Sequence, residues 1–491
     1  MTQTMKLSEL RAVLDQVRSF NWNDLQISGL TQDSRQVQPG FLFVACPEAH
    51  GDGHDYVNDA VRNGAAALVV QRKVPVSEAV PQLVVSDGHL ALAKLAAAFY
   101  RHPSRRLTLI GVTGTSGKTT TTLLVDSIYQ AAGKPIGLLG TITYRIGRRE
   151  IPANMTTPMA NDVQAMLRDM ADEGMAAGVM EVSSHALARH RVDGCRFACG
   201  IFTNLTHEHL DYHGTLVEYR RAKSLLFAGL DKEAVAVMNA DDPCWREVLG
   251  KSTARVVTYA LDNAADVRGE VLSLGLAGCK FRATTPWGEL GFTTALVGRH
   301  NIYNSLAAAA ACGALGIEPG ALVRGVERAK GVPGRLERVE AGQPFVVLVD
   351  YAHKEDALRK VLGGLRDLVS GRIILVFGCG GDRDRQKRPL MGKAAEELAD
   401  FTVVTSDNPR AEEPMAIIDE ILGGIGDRTR VAVEPDRAQA IRRALAEAGS
   451  QDMVLIAGKG HETKQLFRDR VIPFDDREVT RAALAELGYH R

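Results

Sequence analysis

The segment Gly114-Thr115-Ser116-Gly117-Lys118-Thr119-Thr120 carries the clearest chemistry in this sequence. It follows the apolar run LTLIGV and precedes the helical stretch TTLLVDSIYQ. Glycines let backbone N–H groups turn toward an anion, and a helix N-terminus adds partial positive charge. In that setting Lys118 reaches the β/γ-phosphates of a nucleotide and the Thr119 hydroxyl touches Mg²⁺. The strict GxxxxGK[ST] spacing misses by one residue, because position 112 is Val and the glycine is Gly111. A GKT triplet in a loop is common by chance; one between an apolar strand and a helix is not. Nucleoside triphosphate binding is expected, and the lack of an NKxD base-reading loop favours ATP over GTP.

Two further strand ends deliver chemistry. GVMEVSSHALARHRVDG brings Glu181, Ser183, Ser184 and His185. IFTNLTHEHLDYHG brings His207, Glu208, His209, Asp211 and His213. Together they offer oxygen and imidazole ligands for Mg²⁺. A solvated polar loop is the plain alternative. Zinc is disfavoured, since HEH is not HExxH and no cysteine accompanies it. Lys223, in a helical stretch soon after, reads by residue type as a surface lysine. Cys195 and Cys199 could share one side of a helix as metal ligands; two small buried residues is the simpler account.

The elements that position these groups are legible in outline. A chain of 491 residues suggests about three domains. Hydrophobic residues at 45% and charged residues at 24% suit folded globular domains. Lys+Arg and Asp+Glu are both 59, so no broad basic surface for nucleic acid or membrane is expected. Aromatic residues at 5% speak against a stacking platform for single strands. The N-terminal residues show no apolar signal region, and SLAAAAACGALGI is short for a membrane span and reads as a buried helix. Seven scattered cysteines without a CxxC fit reduced thiols in a cytoplasm.

Three blocks emerge: 1–103, 104–334 and 335–491. The first ends at the helix ALAKLAAAFYRHPS, where His102-Pro103 marks a break. In the third, FVVLVD, RIILVFG, FTVVTSD, VAVEPD and MVLIAG alternate with amphipathic stretches. Continuous Val/Ile/Leu runs mean strands covered on both faces, so a doubly wound parallel α/β sheet is expected. Ligands sit beyond the carboxyl ends of such strands. Those ends read DYAHKED, GCGGDRD, TSDNPRAEEP and GKGHE, so four charged or glycine-rich loops converge on one edge.

GVTGTSGKTT, MEVSSHAL, TNLTHEHLDYHG, the Lys223 helix, GRHNIYN, VPGRLE and DYAH occur in this order. The chain thereby resembles the Mur ligases, ATP-dependent amide-forming enzymes of peptidoglycan precursor synthesis. The resemblance implies an α/β protein of three domains: a small N-terminal UDP-binding domain, a central P-loop ATPase-like domain and a C-terminal Rossmann-like domain. TQDSRQVQPGFLFVA and SDNPRAEEP point within the family to addition of meso-2,6-diaminopimelate. The implied substrates are ATP, that amino acid and UDP-N-acetylmuramoyl-L-alanyl-D-glutamate. ATP would phosphorylate the D-Glu carboxylate, and the amine would attack the acyl phosphate. The rivals are the same chemistry with L-lysine, a folylpolyglutamate-synthase-like ligase, and a non-catalytic ATP-binding scaffold. The implied enzyme is a cytoplasmic monomer without nucleic-acid or membrane partners.

The resemblance also implies roles. Lys118, Glu181, His209 and Lys223 would be catalytic, with Thr119, Glu181, His209 and a CO₂-carboxylated Lys223 around Mg²⁺. Gly114 to Thr120 with Asn301, Arg335, Asp350 and His353 would hold ATP. Gln32, Ser34, Ala49, His50, Gly51, Thr156, Thr157, Ser183, Arg189 and Arg191 would touch the UDP-sugar dipeptide. Arg383, Asp407, Asn408, Pro409, Arg410, Gly458 and Glu462 would form the amino-acid pocket. Arg410 offers a fork for the second carboxylate that lysine lacks, and Glu462 can take an ammonium. From residue type alone, Asp33-Ser34-Arg35 and DNPR are also ordinary turns. The chain departs from the family pattern at Lys354-Glu355, Glu208, Arg189 and Met155, which separates Asn154 from Thr156.

Overall fold

The computed structural model describes residues 4–48, 51–206, 208 and 210–490, without the side chains of Leu210 and Asp211. The chain divides into two compact units. One comprises Met1–Glu270, Arg282–Phe292 and Tyr303–Arg328; the other comprises Val271–Phe281, Thr293–Ile302 and Ala329–Arg491.

The first unit begins with β1 (Gly29–Thr31), β2 (Phe41–Val44), β3 (Ala65–Val70), β4 (Gln82–Val84) and α1 (Gly88–Phe99). The four strands pair in parallel, and Arg18–Phe20 adds antiparallel to β4 at the edge. Asp87 caps α1 by accepting from the Leu90 N–H at 2.9 Å. The helix buries Leu92, Leu95, Ala96 and Phe99 with Leu42, Val44 and Val69. His102 is left-handed at φ 51°, and Pro103 opens a short 3₁₀ turn after the helix.

The larger sheet of this unit is built from β5 (Thr108–Thr113), α2 (Lys118–Ala131), β6 (Ile136–Leu139), α3 (Ala160–Asp172), β7 (Ala177–Glu181), α4 (Ser184–Ala188), β8 (Cys199–Phe202), α5 (Leu216–Ala228), β9 (Val235–Asn239) and β10 (Arg255–Ala260). Its parallel core runs β6-β7-β5-β8-β9-β10. The chain leaves β5 toward one side and returns to place β8 on the other. That reversal opens a crevice at the carboxyl end of β5, the usual ligand position in such sheets. The Ala-rich run lies in α6 (Arg299–Ala314), where Ala307 to Cys312 are buried as expected. A final helix, α7 (Pro319–Arg328), packs on α2, with the Ser127 hydroxyl donating to the Gly325 carbonyl at 2.6 Å.

The second unit carries β11 (Val346–Asp350), α8 (Glu355–Arg366), β12 (Ile373–Phe377), α9 (Lys387–Leu398), β13 (Phe401–Val404), α10 (Pro414–Leu422), β14 (Val431–Val433), α11 (Arg437–Glu447), β15 (Met453–Ala457) and α12 (Asp476–Glu486). The order β11-β15-β12-β13-β14 is parallel throughout, with Glu337–Arg338 antiparallel at one edge. Leu358, Met391 and Ile418 cover one face, while Ile441 and Leu484 cover the other. Burial on both faces explains the unbroken apolar runs, and the doubly wound sheet is as expected. Among the described residues no helix is long and apolar enough to cross a membrane.

Candidate active site

The Gly114–Gly117 loop sits above the β5/β8 crevice. Thr115 N–H donates to the Asn204 carbonyl at 2.8 Å, and Ser116 N–H to Asn204 Oδ1 at 3.0 Å. Thr203 Oγ1 donates back to the Ser116 carbonyl at 2.7 Å. Two glycines are required by geometry. Gly114 has φ 149°, and a Cβ there would lie 1.8 Å from Thr203 Oγ1. Gly117 has φ 85°, and its Cβ would lie 2.4 Å from Asn304 Oδ1. Lys118 folds over the loop, donating to the Gly114 and Thr115 carbonyls at 2.9 Å each. Thr120 follows in the first turn of α2.

Glu181 ends β7 and is 1% exposed. Its Oε2 accepts from Thr119 Oγ1 at 3.0 Å and Thr141 Oγ1 at 3.1 Å; its Oε1 accepts from Thr141 N–H at 2.8 Å. The carboxylate therefore has only neutral hydrogen-bond donors among its recorded partners. With the adjacent Thr119 hydroxyl it forms a hard oxygen set that suits Mg²⁺. Thr141 was invisible to sequence reasoning, because nothing local links it to a residue 40 positions away. His209 and His207 lie outside the described residues, as does the Asp211 side chain. Among the described residues no group of three metal-ligating side chains forms.

Lys223 overturns the surface reading of its residue type. It is 1% exposed and donates to the Gly114 carbonyl at 2.8 Å, with Nζ 4.3 Å from the Tyr219 ring centroid. Lys118 donates to the same carbonyl. Burial pushes the Lys223 ammonium well below the ordinary lysine value, and the Lys118 charge adds to this against Glu208.

A hydroxyl ladder runs away from Glu181. Thr141 Oγ1 meets Thr156 Oγ1 at 3.2 Å. Thr157 Oγ1 donates to the Glu181 carbonyl at 2.8 Å and accepts from Ser183 N–H at 3.1 Å. Ser183 caps α4 through Ala186 N–H at 3.2 Å. Arg191 donates to the Thr157 carbonyl at 3.0 Å, and its Nε is buried with no partner among the described residues. Arg189 pairs with Glu48 and donates to Tyr212 at 3.2 Å. Glu48 opposes Gly51 in a two-strand hairpin, so Arg189 ties the first block to α4. Ala49 and His50 lie outside the described residues. Gln32 Oε1 is buried with no partner among the described residues, and Ser34 is buried. Asp33 and Arg35 pair with each other at 2.8 Å in a 3₁₀ turn, matching the plain turn reading.

Cys195 and Cys199 share no helix: Cys199 opens β8, and Cys195 sits in the preceding turn beside Gln164 at 3.3 Å. A cavity of about 610 Å³ lined by Lys94, His102, Arg105, Asp193 and Arg196 precedes β5 and β8, at the opposite strand ends from the Lys118 loop.

In the second unit, Asp350 ends β11 and is buried, accepting from Leu336 N–H and Ala352 N–H at 2.8 Å each. Burial raises its carboxyl against the Arg335 charge and these N–H groups. Arg335 lies 4.7 Å from the Tyr351 ring centroid. His353 Nδ1 donates to the Tyr351 carbonyl at 2.8 Å, and burial lowers its imidazole. Asn301 is fixed on α6 by donating to the Val297 carbonyl at 2.8 Å.

The loops after β12, β13 and β15 meet at one edge. Asp407 and Asn408 are buried, and Pro409 with them. Arg410 is left-handed at φ 53° and donates to the Gly381 carbonyl at 2.8 Å. Gly458, at φ 117°, leaves room for Asp407, whose Oδ2 lies 2.7 Å from where a Cβ would stand. Asn408 Nδ2 donates to Glu462 Oε2 at 2.8 Å. Burial raises the Glu462 carboxyl, but Lys459 and Asn408 outweigh it and hold the group below its ordinary value. Arg383 is exposed beside this edge. Sequence reasoning missed the buried supports: Lys459, Arg388 between Glu412 and Glu420, and Arg437 on Asp476.

Comparison with known proteins accounts for this arrangement. The Mur ligase family catalytic domain matches residues 26–100, the Mur ligase middle domain 112–312, and the Mur ligase glutamate ligase domain 334–460. A UDP-N-acetylmuramoyl-L-alanyl-D-glutamate–2,6-diaminopimelate ligase from Geobacillus thermodenitrificans is 46% identical, covering 98% of this chain and 100% of the relative. One of the same name from Gloeobacter violaceus is 48% identical over 98% of each chain. A solved structure of a ligase so named superposes with TM-score 0.70 at 33% identity, over 94% of this chain and 95% of that one. MurF from Acinetobacter baumannii shares the fold, with TM-score 0.67 at 22% identity over 99% of each chain. A match of this extent, over the Gly114–Gly117 loop, the buried Lys223 and the polar strand edge, shows that the chain belongs to the Mur ligase family.

Proposed function

We propose that this protein joins meso-2,6-diaminopimelate to UDP-N-acetylmuramoyl-L-alanyl-D-glutamate with conversion of ATP to ADP and phosphate. The carrying observation is the near full-length identity of 46% with a ligase named for that reaction. Residues 1–103 would bind the UDP-sugar, 104–334 ATP and 335–491 the amino acid. The scaffold alternative is set aside, since the chain is a Mur ligase and is an enzyme.

An ionised carboxylate is a poor electrophile, and phosphorylation by ATP makes it reactive. Lys118 neutralises the crowded phosphates, and Arg335, Asn301, Asp350 and His353 are the candidates to orient the nucleotide. Mg²⁺, when bound, adds charge neutralisation at the phosphates, with Thr119, Glu181 and His209 as its candidate holders. Gln32, Ser34, Gly51, Thr156, Thr157, Ser183, Arg189 and Arg191, with Ala49 and His50, orient the UDP-sugar dipeptide. Reaction in a cytoplasm, by a monomer acting on small molecules, completes the reading.

Two cations share the Gly114 carbonyl, which makes a protonated Lys223 costly. Carboxylation by CO₂, with loss of a proton, turns Lys223 into an anion near Lys118. It requires a neutral amine. Because the Lys223 value is lowered, that amine is available at lower pH than in an exposed lysine. With ¹³C-bicarbonate, one carbamate ¹³C resonance should grow as pH rises and be missing in Lys223→Arg. No resonance at any pH would remove the carboxylation reading.

The amino acid is tested by phosphate release with diaminopimelate or L-lysine in parallel, the products weighed by mass spectrometry. Tripeptide with diaminopimelate alone supports the reading; product with lysine alone overturns the pocket assignment. Arg410→Ala should lower kcat/KM for diaminopimelate by about 10³-fold or more, since a site built for a polar group loses its partner. An Arg410→Ala enzyme equal to wild type would take Arg410 out of the pocket.

A further inference from the structure

Lys459 lies between two residues assigned to the amino-acid pocket, Gly458 and Glu462, yet its side chain is fully buried. Its ammonium donates to Lys464 carbonyl at 2.7 Å, Asn408 Oδ1 at 3.0 Å and Glu462 Oε2 at 3.0 Å. An ammonium has three protons, so these acceptors saturate it and none is left for substrate. Asn408 Oδ1 also accepts from Leu466 N–H at 3.0 Å. A backbone N–H can only donate, so the amide orientation is fixed, and Nδ2 points to Glu462 Oε2 at 2.8 Å. Glu462 Oε2 is thus held by two donors. Its side chain is 34% exposed, and Oε1 has no recorded partner among the described residues.

We infer that Lys459 is a positioning residue for amino-acid selection. It fixes one oxygen of Glu462 and the amide of Asn408, so that Glu462 presents its other oxygen to a substrate ammonium. Without Lys459 only the Asn408 amide holds Glu462, whose carboxylate would rotate or collapse onto neighbouring donors, and the ammonium would lose a preset acceptor. The inference rests on the pocket reading above and adds a residue that never touches the substrate.

The test compares Lys459→Met, Glu462→Gln and the double variant as full chains under steady state. Lys459→Met should raise KM for diaminopimelate by about 10- to 100-fold, the range for losing a buried support. The kcat and the KM values for ATP and the UDP-sugar dipeptide should stay within about threefold. The double variant should be no worse than the worse single variant, because both break one unit. A lysine that only stabilises the fold would instead lower the melting temperature and shift all three substrates alike. If Lys459→Met does not fold, Lys459→Gln, which removes the charge but keeps donors, is measured against the same expectations. Unchanged diaminopimelate KM, or additive losses in the double variant, overturns the inference. A wild-type enzyme that ligates no diaminopimelate overturns the functional reading itself, and is distinguished by that control.

Discussion

Lys118→Ala is expected to cut ATP-dependent phosphate release by about 10³-fold or more, while the UDP-sugar dipeptide still binds. A preorganised cation acting on developing phosphate charge in a water-poor site contributes several kcal/mol to the transition state, and arginine or lysine clamps on phosphoryl groups act at this scale. In this structure the Lys118 ammonium rests on two backbone carbonyls of its own loop. It therefore has a short path to a phosphate bound at this loop. Thr203 and Asn204 hold the Gly114–Gly117 loop independently of Lys118, so the loop should persist without its two bonds. The hydroxyl ladder from Thr156 to Ser183 does not involve Lys118. A folded Lys118→Ala enzyme that turns over ATP normally would end the phosphate-loop assignment.

The second large effect is on stability. Arg437 and Asp476 are both fully buried and pair through two bonds of 2.8 Å. Arg437 also donates to the Ser406 carbonyl at 3.3 Å and the Ala457 carbonyl at 3.0 Å. Those carbonyls immediately precede Asp407 and Gly458. Arg437→Met should destabilise by about 3–5 kcal/mol, because Asp476 is left as an uncompensated buried charge. Arg437→Met with Asp476→Leu should recover much of the loss, since an apolar pair of similar volume removes the charge as well. Denaturant unfolding of the three proteins decides this. If the double variant is less stable than the single, the cost lies in the lost carbonyl bonds and not in the stranded carboxylate. In the surviving fold, diaminopimelate binding should weaken more than ATP binding, because the carbonyls that move flank the amino-acid loops.

Several residues show what each level of description could decide. Local sequence determined the Gly114–Thr120 loop, the parallel strands from Val346 to Ala457 and the turn after His102, because turn chemistry and hydrophobic period act over a few residues. It also placed four loops on one sheet edge, since parallel strands share a carboxyl end. It could not tell that Lys223 is buried, because an isolated lysine in a helix reads the same whether water or a carbonyl from residue 114 receives it. Thr141 beside Glu181, Asn408 beside Lys459 and Arg437 beside Asp476 are pairings across 40, 51 and 39 positions. Burial and partner choice depend on which segments the fold brings together, so only tertiary structure turned these ordinary polar residues into the supports of a site.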